Sequence, residues 1–381
     1  MPTISLCMIA KNEQQNIERC IKSAKPYVDQ IVVVDTGSTD FTVEIAEKLG
    51  AEVYHHLWQD DFALARNKSL EKATGDWILF LDCDEELDQT TAPELRKIIQ
   101  EEKYSGYWVK IINMFNHQPG TSFQGFRLFR NHPLHRFECP IHEQILPAVI
   151  RNSSQEAIGH SNITIYHHGY ENDDAVYQSK IQRNLKILHK AKKTYGNAGF
   201  ILFYIAVEHQ KMGEYQKALE YYQQSLAKTN SQESYAPAMI RSMVHCHTVL
   251  GQYQQGLDLA DRFLKIYPQY TDLVYLKGII YQKIGKISDA LACMNKCLAM
   301  GPPPIHLFSV EGIAQELPLN AIQSILEESL QIIPELVKLG QTSQAFTTVN
   351  QIFEQLKKTP FEATYNKLIQ TMNIHFTGAQ K

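Results

Sequence analysis

Asp82 and Asp84 stand one residue apart at the end of a short apolar run, Trp77-Ile78-Leu79-Phe80-Leu81, with Glu85 and Glu86 directly behind them. A run of few, bulky residues without alternation reads as a buried parallel strand. Such a strand releases its chain at the carboxyl edge of a sheet, where open α/β folds place their ligands. Carboxylates gathered there repel one another. The usual remedy is a hard divalent cation bound through oxygen, so the pattern points to Mg²⁺ or Mn²⁺ chemistry.

Two more polar loops are expected at the same edge. Ile4–Ile9 reads as a first strand and delivers Lys11-Asn12-Glu13. Ile31–Val34 reads as a second and delivers Asp35-Thr36-Gly37-Ser38-Thr39-Asp40. The second loop is small enough for backbone N–H groups and an aspartate to approach a ligand beside a helix N-terminus. It lacks the glycines of a dinucleotide site or a P-loop. A capped turn alone would also explain Ser38, Thr39 and Asp40.

Helical segments must hold these strands in register. Asn12 is expected to cap a helix over 13–24, with Ile17, Cys20 and Ile21 on one face. Thr42–Leu49 forms the next helix, closed by Gly50. Glu52–His55 is a third strand and Asp61–Ala73 a third helix. Strands alternating with helices predict a mostly parallel sheet covered on both faces, an α/β class. Beyond the acidic pair, Tyr107–Met114 and Gly125–Phe129 read as further strands.

Composition narrows the class. Hydrophobic residues make up 44% and charged residues 20%, as in a soluble globular chain. The formal net charge of −4 gives no basic footprint, so no nucleic-acid partner is expected. No apolar stretch reaches the roughly 20 residues that span a bilayer. The N-terminus shows no leader pattern. Seven scattered cysteines read as reduced thiols, and a cytoplasmic location is expected.

Four motifs, taken in order and spacing, carry a resemblance: Ile9-Ala10-Lys11-Asn12-Glu13, Val34 through Asp40, Ala65-Arg66-Asn67 and Leu81-Asp82-Cys83-Asp84-Glu85. Over about residues 3–170 the chain resembles the inverting GT-A-fold glycosyltransferases, the large family that includes cellulose, chitin and hyaluronan synthases. It is most similar to the soluble subgroup joined to tetratricopeptide repeats, to which bacteriocin-modifying S-glycosyltransferases belong. The resemblance implies a nucleotide-diphosphate-sugar donor, most often UDP-linked. It implies that Lys11, Asp35 and Ser38 hold the base and ribose and that Arg66 faces the diphosphate. Asp82 would contact the ribose or the metal's water, and Asp84 would bind Mn²⁺ or Mg²⁺ directly.

Such chemistry leaves a nucleoside diphosphate with extra negative charge, which a cation stabilises as a Lewis acid. Inversion needs a nucleophile in line behind the anomeric carbon, helped by a general base. Residues 126–143 resemble the subgroup's Arg-Leu-Phe-Arg and Gly-Pro-x-His-Glu stretches, with Cys139 where glycine is usual. Glu143 is the expected base, with His142 orienting it or the acceptor. The alternative is that Glu143 pairs with Arg127 or Arg130 and only holds the loop. Residues 163–170 resemble the subgroup's closing motif. Of the adjacent His167 and His168 only one can reach the ion, and the His-x-Gly-Tyr pattern favours His167.

From Asp174 onward helical periodicity takes over. Asp174–Tyr195 reads as one linking helix within a segment over 173–198. A repeat follows, marked by Gly213, Gly251 and Gly285 at spacings of 38 and 34 residues, the latter the tetratricopeptide period. Pro268 and Pro302 each fall 17 residues after their glycine, where the second helix closes. Ala206, Gly278 and Tyr281 fit the repeat's small and aromatic positions, whereas Tyr204, Tyr221, Tyr222 and Tyr235 read as repeat core. The expected organisation is a catalytic domain over 1–172, three repeats over 199–304, and a helical cap over 305–381 with a polar tail after Phe376. That cap could serve homodimerisation.

The reading is a metal-dependent inverting hexosyltransferase whose acceptor is a peptide, through a Cys or Ser side chain, presented by the repeats. Its rivals are an enzyme acting on a lipid-linked or cell-surface glycan, and a non-catalytic repeat scaffold.

Overall fold

A computed structural model describes residues 1–169, 174–196, 198–304 and 307–339, with 347 and 352. The boundary expected at 172, Tyr170 of the closing motif, and the cap and tail beyond 339 lie outside the described residues, apart from those two positions. The chain divides into two compact units between Met212 and Gly213.

The first unit runs β1 (Ile4–Ala10), α1 (Ile17–Ala24), β2 (Gln30–Asp35), α2 (Thr42–Lys48), β3 (Glu52–His55), α3 (Phe62–Lys72), β4 (Trp77–Phe80), β5 (Glu85–Leu87), α4 (Leu95–Ile98), β6 (Gly106–Phe115), β7 (Gln118–Arg130), α5 (Leu146–Asn152), β8 (Ile158–His167), α6 (Asp174–Tyr195) and α7 (Gly199–Lys211). Its strands lie in the order β3-β2-β1-β4-β7-β6-β8-β5. β1 to β4 are parallel; β1, β2 and β4 are buried apolar runs, and β3 is the short, partly exposed edge strand. The rest of the sheet is mixed. β7 joins β4 antiparallel and forms a hairpin with β6, while β8 lies parallel to β6 and antiparallel to β5.

Alternate residues of β1 explain the burial on both faces. Ile4, Leu6 and Met8 meet Ile17 and Ile21 of α1, with Trp77 and Leu79. Cys7 points to the other side, among Val32, Ile78, Phe80 and Ala63 and Leu70 of α3. Each such side chain stabilises the fold by about 1.5–3 kcal/mol on burial. No described helix is long and apolar enough to cross a membrane.

One expected element is shorter. α1 begins at Ile17, not at Glu13. Asn12 takes a left-handed backbone (φ 57°) instead of capping. Its Oδ1 accepts from the Thr39 N–H at 2.8 Å, and its own N–H donates to Ser38 Oγ at 2.9 Å. The first two loops are thus clasped together, a tertiary bond that overrides the local cap.

The second unit contains α8 (Tyr215–Leu226), α9 (Ala236–Val249), α10 (Tyr253–Leu264), α11 (Thr271–Lys283), α12 (Ile287–Met300) and α13 (Glu316–Lys338). Each of α8 to α12 packs on the next. Gly213, Gly251 and Gly285 have φ of 76°, 71° and 73°, a left-handed turn that glycine enters without a Cβ penalty. Gly278 on α11 faces α12 so closely that a Cβ would lie 2.6 Å from the Met294 methyl.

Candidate active site

The Asp-x-Asp loop follows β4 and runs at once into β5. Residue Glu85 pairs with His167 in the β5–β8 register, and the His168 N–H donates to the Asp84 carbonyl at 2.8 Å. This pairing sets His167 Nε2 3.5 Å from Asp84 Oδ1. His168 points the other way, with Nε2 3.2 Å from Glu86 Oε2. The alternation expected of adjacent strand residues therefore holds, and His167 is the member that reaches Asp84.

Three features around this pair suit a cation. Asn113, 5% exposed, gives its Nδ2–H to Thr121 Oγ1 at 2.6 Å. Its Oδ1 is then the acceptor for His167 Nδ1–H at 2.8 Å, which leaves the lone pair on Nε2, the arrangement metal-bound histidines use. Gly169 lines the same space, where a Cβ would stand 2.5 Å from His167 Nε2 and 2.6 Å from Asp84 Oδ2. One carboxylate and one imidazole form a donor set compatible with Mn²⁺. Among the described residues no group of three or more such ligands gathers, so any ion here would complete its shell from water or a ligand.

Beside the pair lies a charged cluster. Arg66 on α3 is 6% exposed. Its Nη2 donates to Asp82 Oδ1 at 2.5 Å and its Nε to Glu143 Oε1. Arg127 on β7 donates from Nη2 to Glu85 Oε1 at 2.6 Å and reaches Asp82 Oδ2 at 3.4 Å. Both guanidiniums lie over the Phe80 ring, at 5.0 and 4.4 Å. Burial alone would raise the Asp82 pKa, but Arg66 and Arg127 overcome it and hold the carboxyl well below the usual range. Burial also pushes Glu85 upward, despite Arg127.

Arg66, expected to face the diphosphate, bridges two carboxylates, those of Asp82 and Glu143. Glu143 is indeed paired, though with Arg66 and not with Arg127 or Arg130. Arg130 donates instead to the carbonyls of Tyr104, Glu101 and Glu102. The Arg66–Glu143 contact could not be read from spacing, because 77 residues separate the partners.

The second loop is built around Asp35, which is 3% exposed. Its oxygens accept from the N–H groups of Gly37 and Ser38 at 3.1 Å, and His55 Nδ1 lies 3.4 Å away. Lys11 is exposed at the end of β1. The first two loops and the acidic loop leave the same sheet edge, as β1 pairs with both β2 and β4 in parallel.

The acceptor-side segment is bound to α3. Asn67 exchanges two hydrogen bonds with the backbone of Phe137, and the Phe62 N–H donates to the Pro140 carbonyl. Cys139, between these two ties, and His142, between the second tie and Glu143, are left-handed, with φ of 72° and 51°. Cys139 thus adopts the conformation that a glycine would favour at this place. The His142 ring stacks on Tyr204 of α7, centroids 3.5 Å apart and planes at 8°. Tyr204 is half-buried, whereas Tyr222 is fully buried among the helices.

Residues 5–157 match the glycosyl transferase family 2 profile, and residues 199–231 a tetratricopeptide repeat. This chain carries a glycosyl transferase family 2 domain. The chain is similar, at 29% identity over 79% of its length and 76% of the relative's, to a TPR repeat-containing protein of Synechococcus elongatus. It is 26% identical to the SPbeta prophage-derived glycosyltransferase SunS of Bacillus subtilis, over 73% of this chain and 67% of that one. Among solved structures it aligns with glucosyl-3-phosphoglycerate synthase of Mycobacterium tuberculosis in complex with Mn²⁺, UDP and glucosyl-3-phosphoglycerate. That alignment has 21% identity and a TM-score of 0.37, covering 49% of this chain and 78% of the other. The family 2 domain has the GT-A-like arrangement of a mostly parallel sheet, and the protein is a glycosyltransferase. The non-catalytic scaffold is set aside by this assignment.

Proposed function

We propose that this glycosyltransferase is a metal-dependent, inverting enzyme that moves a sugar from a UDP-sugar to a side chain of a peptide. The observation that carries the metal half is the cradle of Asp84, His167 and Gly169, with Asn113 fixing the imidazole. Asp84 and His167 would hold Mn²⁺ or Mg²⁺. Bound there, the ion would act as a Lewis acid on the departing diphosphate.

The remaining tasks fall to the chain. Lys11, Asp35 and Ser38 on the first two loops take the base and ribose. Asp82, kept ionised by Arg66 and Arg127, accepts hydrogen bonds from the ribose or from water. Glu143 takes the proton from the attacking thiol or hydroxyl at its Oε2, while Arg66 fixes Oε1. His142 orients the segment that carries Glu143. Stacked helix pairs offer a surface for an extended peptide, which supports a peptide acceptor over a lipid-linked glycan.

Hydrolysis of UDP-glucose with Mn²⁺ tests the reading. Wild type should release UDP, and Asp84→Ala should lose at least a hundred-fold in rate. Equal turnover in the two would refute the metal assignment. Intact-mass analysis of candidate peptides incubated with a panel of activated sugars would identify the acceptor.

A further inference from the structure

The loop carrying Glu143 is anchored unevenly. Its flanks are bonded to α3, Phe137 and Pro140 before the crest through Asn67 and Phe62, and Glu143 after it through Arg66. Its crest at His142 is different. Among the described residues the imidazole makes no hydrogen bond, and its Nε2 is buried without a partner. The backbone there is left-handed, which costs an L-residue free energy unless its surroundings impose it. What touches the imidazole flat on is the phenol ring of Tyr204, at 3.5 Å and 8°. Burial with Lys211 nearby depresses the His142 pKa to about 3, so a neutral ring faces Tyr204 near neutral pH.

We infer that Tyr204, within the segment matched to the tetratricopeptide repeat, is a positioning residue for the acceptor-activating loop: its ring holds His142 and thereby sets the placement of Glu143. Sequence spacing marks Tyr204 only as a repeat aromatic. The first helix of the repeat segment thus completes the catalytic loop instead of only stacking on its neighbours. The inference rests on the proposed role of Glu143. An error of about 1 Å in such a group costs roughly a hundred-fold in rate, and partial loosening of the loop is expected to cost about ten-fold.

The test compares wild type, Tyr204→Phe and Tyr204→Leu as full chains. Hydrogen exchange read by mass spectrometry over residues 138–145 reports the loop without any donor. Calorimetry with UDP and Mn²⁺ reports the donor site. UDP-glucose hydrolysis gives kcat and KM. Tyr204→Leu should exchange several-fold faster over 138–145 and lose about ten-fold in kcat, with UDP affinity and KM unchanged. Tyr204→Phe, which keeps the stacked ring, should match wild type in all three. A loop equally protected in Tyr204→Leu overturns the inference. So does a loosened loop with unaltered kcat, or a Tyr204→Phe as slow as Tyr204→Leu. Failure of the wild type to hydrolyse UDP-glucose would count against the proposed function and the catalytic part of this inference. The exchange measurement would still decide whether Tyr204 holds the loop.

Discussion

Arg66 donates to Glu143 across 77 residues of chain while its other nitrogen holds Asp82. One buried guanidinium therefore ties the rim of β4 to the loop expected to activate the acceptor. Removing one member of a buried ion pair leaves an uncompensated charge and typically costs about 3–5 kcal/mol. Arg66→Ala should show a loss of that order in urea denaturation, partly reduced by the remaining pull of Arg127 on Asp82. Arg66→Lys should lose less, because it keeps the positive charge, yet still fall below wild type, because one ammonium cannot serve two carboxylates with the fork of a guanidinium. If Arg66→Ala were as stable as wild type, Asp82 and Glu143 would not depend on this guanidinium.

Gly169 gives a cleaner probe of the metal cradle. A single methyl group there would fall between His167 Nε2 and Asp84 Oδ2. Gly169→Ala should weaken Mn²⁺ binding at least ten-fold by calorimetry while the thermal midpoint stays close to wild type. Asn113→Ala should weaken Mn²⁺ binding by about 10–100-fold, because it frees the imidazole to rotate. Unchanged affinity in both would place the ion elsewhere.

His142 predicts a pH dependence of stability. Its pKa falls from an ordinary 6.5 to about 3 on folding, through burial and then Lys211. Above 6.5 both folded and unfolded forms carry a neutral ring, and nothing is lost. Below 6.5 the unfolded ring takes up a proton that the folded one refuses, so stability falls as pH drops towards 3. Each unit below 6.5 is worth up to about 1.4 kcal/mol. His142→Phe keeps a stacked ring without the titration. Relative to wild type, it should gain about 1–2 kcal/mol between pH 7 and 5 in denaturant titrations, and a constant difference would contradict this account.

Cys139 sits at φ 72° with a Cβ, a conformation that favours glycine. A left-handed conformation costs an L-residue about 1–2 kcal/mol, offset in part by the greater freedom of glycine when unfolded. Cys139→Gly should therefore raise stability by about 0.5–1 kcal/mol in urea denaturation. Destabilisation would mean that the thiol's packing outweighs its backbone strain.

The parts of this architecture that could be read from the sequence are those governed by local pattern. Apolar runs gave β1, β2 and β4, the helix read from Asp61 appears as α3, and α6 spans Asp174–Tyr195 as its periodicity required. Asp84, singled out behind an apolar run, and His167, singled out by a resemblance over 163–170, do come within 3.5 Å of each other. What escaped reading depends on partners distant in the chain. Asn12 gave up its cap to bind Thr39, a choice made only once β1 and β2 lie side by side. The three-residue β5 was too short for any periodicity, yet its pairing with β8 brings His167 to Asp84. β7 enters between β4 and β6 with reversed direction, which no alternation of apolar runs encodes.

The division between Met212 and Gly213 leaves α7 on the side of the sugar-transfer machinery, although the repeat profile begins at 199. Chimaeras that graft a foreign repeat array should accordingly be spliced after Met212, keeping the Tyr204-bearing segment with its own loop. Crossovers at 198 would separate a ring from the histidine it was matched to. For laboratory recombination, the unit of exchange is a repeat array that starts half a repeat late.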